Sequence, residues 1–266
     1  MTTETVRIGI AGINGRVGRL LREEVAAGGG SLAGGTARDA QAASGAASGA
    51  ASGQFATLGE LAPRCDVVID FTHAATVRAH AAILAEAGVA WVLGTTGLSD
   101  EDLDAVQAAA RRIPVVHAAN YSPGVTLVTR LARQMAAALP SAAYDAEILE
   151  MHHRQKVDAP SGTALAIGQA VADGRGIDFA SHVEDARTGH TGPRRADAIG
   201  FAVLRGGQIV GEHTLTFTSA AEQITLAHRS FDRRIYATGA VRAALWLRGR
   251  TPGLYDMEDV LGLRAP

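Results

Sequence analysis

A single cysteine, Cys65, stands among 266 residues. No intrachain disulfide and no thiolate metal cluster can be built from it. Its place at the head of an apolar run reads as a buried structural thiol rather than a nucleophile. Neither sign of charge is in excess: 25 basic and 27 acidic side chains leave a formal net charge of −2. That balance argues against a general nucleic-acid or anionic-membrane surface and leaves room only for a local basic pocket. No apolar stretch is long enough to span a bilayer. Met1-Thr2-Thr3-Glu4 lacks the basic segment and apolar core of a secretion signal. No membrane and no nucleic-acid partner are therefore expected, and a cytoplasmic location is. What remains, 47% hydrophobic and 20% charged residues, is ordinary for a chain that buries a core.

Val6-Arg7-Ile8-Gly9-Ile10-Ala11 is short, apolar and β-branched, and glycines follow it. Val17, Leu20, Leu21 and Val25 then recur at helical spacing, so the reading is strand, glycine turn, helix. Leu32 to Ala37 forms a weaker second strand. Residues 42–53 repeat Ala-Ala-Ser-Gly three times; without large apolar groups this stretch is expected to be a mobile connector. Val67-Val68-Ile69-Asp70-Phe71 is a buried-strand run, followed by a helix around His80, Ile83, Leu84 and Ala87. Val89 to Leu93 is another strand, broken by Gly94-Thr95-Thr96-Gly97. Ser99 with Asp100, Glu101 and Asp102 makes a helix start. A strand at Ile113 to His117 leads into a loop at Asn120-Tyr121-Ser122-Pro123-Gly124. Alternating strands and helices of this length predict βαβ units in a doubly wound parallel sheet.

After about residue 140 the rhythm changes. Tyr144 to Met151 reads as a strand and Ala164 to Ala172 as a helix. Strands follow at Ile199 to Leu204, His213 to Thr218 and Gln223 to His228. In His213-Thr214-Leu215-Thr216-Phe217-Thr218, threonine alternates with larger groups at the period of a two-faced strand. Arg205-Gly206-Gly207-Gln208 reads as a hairpin turn. Ala240 to Leu247 is helical and is expected to pack back on the first domain. The fold class is thus α/β: an N-terminal Rossmann-type domain over residues 1–123, completed by 233–266. A C-terminal α+β domain with a mixed or antiparallel sheet spans 124–232.

Gly12-Ile13-Asn14-Gly15-Arg16-Val17-Gly18 lies after the first strand and opens the first helix. Glycine there permits a tight turn and lets backbone N–H groups approach a pyrophosphate at the positive end of a helix. The spacing is G-x-x-G-x-x-G rather than G-x-G-x-x-G, so a glycine turn without ligand stays open as the plain alternative. A P-loop is excluded, since no Gly-Lys-Ser/Thr ends the motif. Nucleotide choice is expected at Ala37-Arg38-Asp39, where Arg38 would suit the 2′-phosphate of NADP and Asp39 the 2′-hydroxyl of NAD; a solvated charge pair is the third option. Gly94, Thr95, Thr96 and Ala119, Asn120, Tyr121, Ser122 sit at the carboxyl ends of strands, where such sheets bind ligands.

The densest polar segment is Glu150-Met151-His152-His153-Arg154-Gln155-Lys156-Val157-Asp158-Ala159-Pro160-Ser161-Gly162-Thr163-Ala164. Its cations, and the Ser161-Gly162-Thr163 turn at a helix N-terminus, would suit an anionic substrate such as a dicarboxylate. Zinc is not expected, because no cysteine or carboxylate at metal-ligand spacing accompanies the histidines. His73, His80, His117, His182 and His228 take structural or surface readings. Ser161 is no hydrolase nucleophile, lacking G-x-S-x-G around it.

His-His-Arg-x-Lys-x-Asp-Ala-Pro-Ser-Gly-Thr-Ala resembles the signature of the 4-hydroxy-tetrahydrodipicolinate reductase (dihydrodipicolinate reductase) family. The opening Gly-Ile-Ala-Gly-Ile-Asn-Gly-Arg-Val-Gly, the 94–97 and 119–122 loops, Arg187 to Gly192, Ile199-Gly200-Phe201 and Val210 to Thr214 recur in that family's order, across nearly the whole chain. The resemblance implies an NADH- or NADPH-dependent reduction of 4-hydroxy-tetrahydrodipicolinate to tetrahydrodipicolinate with loss of water, in lysine and diaminopimelate biosynthesis, by a homotetramer joined through the second domain. It implies that His152 donates and accepts a proton and Lys156 donates one. His153, Ser161, Gly162 and Thr163 would bind substrate. Gly12, Ile13, Asn14, Gly15, Arg16, Val17, Arg38, Gly94, Thr95, Thr96, Ala119, Asn120, Tyr121 and Ser122 would hold the cofactor. The chain departs from the family at Ala37, where good NADH users often carry an acid, and in the Ala-Ala-Ser-Gly repeats. Two other readings fit the residues: a different two-domain NAD(P)-dependent dehydrogenase, and a non-catalytic NADP sensor, against which the joint presence of His152 and Lys156 counts.

Overall fold

The computed structural model describes residues 5–37, 53–185 and 187–264. Arg38, Asp39 and nearly all of the Ala-Ala-Ser-Gly repeats lie outside the described residues. The chain divides into two compact units, Met1–Pro123 with Arg234–Pro266, and Gly124–Arg233. In chain order the elements are β1 (Arg7–Ala11), α1 (Arg16–Ala27), β2 (Ser31–Thr36), β3 (Gln54–Phe55), α2 (Leu58–Leu61), β4 (Val67–Asp70), α3 (Ala74–Ala87), β5 (Ala90–Leu93), α4 (Asp100–Ala110) and β6 (Pro114–His117). They continue with α5 (Pro123–Ala138), β7 (Asp145–His152), α6 (Gly162–Arg175), α7 (Phe179–His182), β8 (Val183–Glu184), β9 (Ile199–Arg205), β10 (Gly211–Thr218) and β11 (Gln223–Ser230). The chain closes with α8 (Arg234–Trp246), β12 (Gly253–Tyr255) and α9 (Met257–Leu261).

The first unit holds a seven-stranded sheet in the order β12-β6-β5-β4-β1-β2-β3, and every pairing in it is parallel. All four residues of β4 and all four of β5 are buried, as a sheet covered on both faces requires. One core joins Ile8, Ile10, Ile69 and Val92 to Leu21 and Val25 of α1 and Ala240, Val241 and Ala244 of α8. The other joins Val68, Trp91 and Val115 to Val77 and Leu84 of α3 and Val106 of α4. Helices on both faces make this the doubly wound sheet that the sequence predicts. Helix α4 starts on a capping box: the Ser99 hydroxyl accepts from Asp102 N at 3.2 Å, and Asp102 accepts from Ser99 N at 3.1 Å.

Helix α8 packs on this unit. A Cβ on Gly239 would lie 1.7 Å from the Tyr121 carbonyl oxygen, so only glycine allows that approach. Arg234 then pairs with Glu23 and Glu24 of α1 at 2.8 Å each.

The second unit is a mixed five-stranded sheet in the order β11-β10-β7-β9-β8. β7 runs parallel to β9 and antiparallel to β10. The turn at 205–208 is therefore not a hairpin, contrary to the sequence expectation: β7 lies between the two strands it joins. Its backbone instead bonds to the end of β7, Gly206 N donating to His152 O at 2.9 Å and Arg154 N to Gly207 O at 3.3 Å. In β10, Gly211, His213, Leu215 and Phe217 are buried while the residues between them are half-exposed, the period of two read in the threonines. Helix α6 covers the inner face, where Ala164, Ile167 and Val171 meet Ala146, Ile148, Leu215 and Phe217.

Candidate active site

In the first unit, β1 is flanked by β2 and β4, so the chain winds away from it in both directions. Sheets of this kind bind ligands at such a switch, outside the carboxyl ends of the strands. The glycine loop sits there. Gly12 takes a φ of +74°, a left-handed conformation that side chains other than glycine's disfavour. Its N–H donates to Thr36 Oγ1 at 2.9 Å, and Ile13 N donates to Thr36 O at 3.0 Å, which ties the loop to the end of β2. A Cβ on Gly18 would meet Gly12 O at 2.3 Å; helix α1 can approach the loop only because it is absent. Among the described residues no side chain caps α1, and no acidic residue lies in its first turn. Its positive end is thus available to an anion.

A cleft of about 690 Å³ opens beside this loop. Gly12, Asn14 and Gly15 form one wall, Thr36 and Ala37 the end of β2, and Phe71 and Thr72 the end of β4. His80, which the sequence assigns to structure or surface, also lines it and sits 2.7 Å from the buried Asp70 through Nδ1. Gly94 fits under the Phe71 ring, which a Cβ would meet at 2.2 Å. Thr95 is buried, and its Oγ1 has no partner among the described residues. A cradle that side chains would fill and an unpartnered buried hydroxyl both fit a nucleotide.

The remaining expected cofactor residues divide by exposure. Asn14, Gly15, Arg16, Thr96 and Ala119 are exposed, whereas Ile13, Tyr121 and Ser122 are buried. The Tyr121 hydroxyl donates to Leu93 O at 2.8 Å, with Val116 O at 3.0 Å; burial pushes its pKa well above the ordinary value. Ser122 N donates to Asn120 Oδ1 at 2.8 Å.

In the second unit, the carboxyl end of β7 and the N-terminus of α6 bring the polar segment together. Glu150 and His152 are two apart on β7, so they share its inner face. His152 Nδ1 lies 2.6 Å from Glu150 Oε2. Ser161 N donates to Glu150 Oε1 at 2.9 Å, and the Ser161 hydroxyl caps α6 by accepting from Ala164 N at 3.2 Å. Gly162 follows with open space where a Cβ would stand, and Thr163 lies in the same first turn. Lys156 donates to both oxygens of Asp158 at 2.8 and 2.9 Å, which holds the Asp158 carboxyl below the usual range. His153 Nε2 is 2.9 Å from the Arg233 guanidinium, and its buried Nδ1 has no partner among the described residues. All six residues that the sequence assigns to catalysis and substrate thus lie in one unit, on the stretch from the last residue of β7 to the first turn of α6.

Three participants receive no role from the sequence. Arg205 reaches both oxygens of Glu150 at 2.8 Å each. Burial alone would raise the Glu150 carboxyl, but Arg205, His152 and the Ser161 N–H outweigh it and hold it low. His213, on the buried face of β10, places Nε2 3.1 Å from Ser161 Oγ. Burial first, then the neighbouring His152, pushes His213 down to about 4. His152 is lowered too, by burial against the pull of Glu150. The signal for Arg205 and His213 was strand pairing, since Arg205 registers with His152 and His213 with Glu150. Among the described residues, no group of three His, Cys, Asp or Glu is placed to hold a metal, and no helix is long and apolar enough to cross a membrane.

Comparison with known proteins gives this arrangement a family. A model described as "Dihydrodipicolinate reductase, N-terminus" matches residues 6–121, and one described as "Dihydrodipicolinate reductase, C-terminus" matches 124–261. The chain is 84% identical to the 4-hydroxy-tetrahydrodipicolinate reductase of Gluconacetobacter diazotrophicus, over 99% of this chain and 100% of that one. It is 45% identical to the enzyme of that name from Caulobacter vibrioides, over 98% and 99%. In fold it resembles a dipicolinate-bound dihydrodipicolinate reductase from Paenisporosarcina sp. TG-14, with a TM-score of 0.76, 24% identity and coverage of 95% and 98%. With both halves matched in order and identity this high over the full length, the chain belongs to the dihydrodipicolinate reductase family.

Proposed function

We propose that the protein reduces 4-hydroxy-tetrahydrodipicolinate to tetrahydrodipicolinate with NADH or NADPH, in lysine and diaminopimelate biosynthesis in the cytoplasm. A hydride and a proton enter the substrate and one water leaves. The observation that carries the reading is the junction of β7 and α6, where proton-transfer groups and an anion-binding helix end are built on one buried carboxylate. The cofactor supplies the hydride when bound; Gly12 to Val17, Gly94 to Thr96 and Ala119 to Ser122 would hold it, with Arg38 suiting the 2′-phosphate of NADP and Asp39 the 2′-hydroxyl of NAD.

The substrate is a dicarboxylate. Gly162 and Thr163, at the positive end of α6, suit one carboxylate, and His153 adds a donor. Lys156 brings a proton that can quench the electron density left on the ring by hydride addition, and His152 gives or takes one. Ser161 acts through its cap on α6. The family's homotetramer is supported by the outer face of the second sheet, which carries Leu149 at 36% and Leu204 at 51% exposure.

The test is a coupled assay with freshly made substrate, following oxidation of NADH and of NADPH separately. Turnover with either is expected. In Lys156→Ala, turnover should fall by roughly 10²- to 10⁴-fold while nucleotide binding survives. Full turnover in that variant, or none in the wild type with both cofactors, would refute the reading. Mass by light scattering tests the tetramer.

A further inference from the structure

We infer that Glu150 is a positioning residue: one buried carboxylate sets the tautomer of His152 and fixes the helix end that carries Gly162 and Thr163. The inference rests on the assignment of His152 to proton transfer proposed above.

Glu150 has no exposed surface. Its two oxygens meet four donors: His152 Nδ1 at 2.6 Å and Arg205 at 2.8 Å on Oε2, Ser161 N at 2.9 Å and Arg205 at 2.8 Å on Oε1. An ionised carboxylate only accepts. Nδ1 of His152 must therefore carry a proton, and Nε2 is left as the atom through which the ring exchanges one. A Cβ on Gly211 would stand 3.0 Å from that Nε2, so the glycine keeps it reachable. The other oxygen receives the N–H of the α6 cap residue. Proton-transfer group and carboxylate-binding turn are thereby registered to the same anion, and neither can shift without straining the other.

The charged and titratable groups facing His152 are Glu150 on its own strand, Arg205 from β9, His213 from β10 and Lys156 from the following loop. Asp158 faces the two cations, Lys156 and Arg205, rather than the ring. Among the described residues that act on the ring, Glu150 alone favours the imidazolium; burial and both cations oppose it. Opposite shifts follow. Removing the Glu150 charge should lower the pH at which His152 loses its proton, and removing Arg205 should raise it.

The variants are Glu150→Gln, Arg205→Gln and, as reference, His152→Gln. In Glu150→Gln, three donors compete for one oxygen, and the new amide favours an unprotonated Nδ1. The kcat should fall by about tenfold or more, and the alkaline limb of its pH profile should move down by about one pH unit. In Arg205→Gln the limb should move up. Nitrogen-15 NMR of the neutral wild-type His152 ring should find the proton on Nδ1, and in Glu150→Gln on Nε2. A proton on Nε2 in the wild type, or limbs that stay put in both variants, overturns the inference. The wild-type NMR result decides even if Glu150→Gln fails to fold. If His152→Gln turns over normally, the assignment of His152 itself fails and takes the inference with it. If His152→Gln is inactive while Glu150→Gln behaves as wild type, the positioning role alone falls.

Discussion

His213 should make the second unit acid-sensitive in a way that one substitution removes. The residue is 4% exposed, its Nδ1 is buried without a partner among the described residues, and its pKa is pushed down to about 4 from 6.5. A base lowered in the folded state is protonated first in the unfolded chain. Its contribution to stability is therefore complete above pH 6.5 and is lost as pH falls from 6.5 to about 4. The full loss is about 3 kcal/mol, of which about 2 kcal/mol falls between pH 8 and pH 5. His213→Gln keeps a polar partner for Ser161 Oγ and removes the titration; at pH 8 it should cost about 1 kcal/mol for the altered hydrogen bond. The order of stability should then invert by pH 5, the variant becoming the more stable by about 1 kcal/mol. Both tryptophans, Trp91 and Trp246, lie in the other unit, so their fluorescence would report the wrong unfolding. Hydrogen exchange of the β10 amides, corrected for chemical exchange at each pH, reads the right one. Parallel stability curves for wild type and variant would refute the reasoning, because the His213 titration is the one that the substitution removes outright.

Gly18→Ala would place a methyl group against backbone, 2.3 Å from Gly12 O, which cannot give way as a side chain does. A loss of about 1–3 kcal/mol and at least about tenfold weaker NADPH binding by titration calorimetry are expected. Tyr121→Phe removes the hydroxyl that joins the ends of β5 and β6. It should lower stability by about 1 kcal/mol through the lost hydrogen bond, read as a fall in melting temperature; an unchanged melting temperature would refute that. Cys65 is buried, donates to Leu61 O at 3.3 Å and is pushed up to about 12 by burial. One thiol per chain should react with a disulfide reagent at pH 8 in denaturant and essentially none without it.

The parallel half of the fold was legible because its strands are short apolar runs between glycine or polar breaks, and burial on both faces leaves little else to read. Helix α5 was not read, although Val125, Val128, Ala132 and Ala136 follow its buried face. Its opening Pro123-Gly124 looks like a loop until Pro123 is recognised as a first-turn residue, where its missing N–H costs nothing. β3, β8 and β12 are two or three residues long and take their state from a neighbouring strand rather than from any pattern of their own. The hairpin error has the same root. Gly206 and Gly207 announce a turn, but only the pairing of β7 with both neighbours says what the turn connects. In the site, contiguous motifs were visible and cross-strand partners were not: Glu150 belongs to the polar segment, whereas Arg205 and His213 are 55 and 63 residues further along the chain.

Those partners explain why a buried carboxylate persists there. The inner face of β7 carries Ala146 and Ile148 before Glu150 and His152, so one face passes from plain packing to charge within a single strand. A buried ion pair such as Glu150 with Arg205 is a poor stabiliser. The desolvation of both ions offsets most of their attraction, and well-packed apolar residues of similar size commonly do as well or better. Ala146 and Ile148 show what the same strand uses where packing alone is asked of it. A buried carboxylate held ionised by four donors, touching both the proton-transfer residue and the helix end that receives an anion, is better accounted for by the chemistry of the site than by any gain in the stability of the sheet.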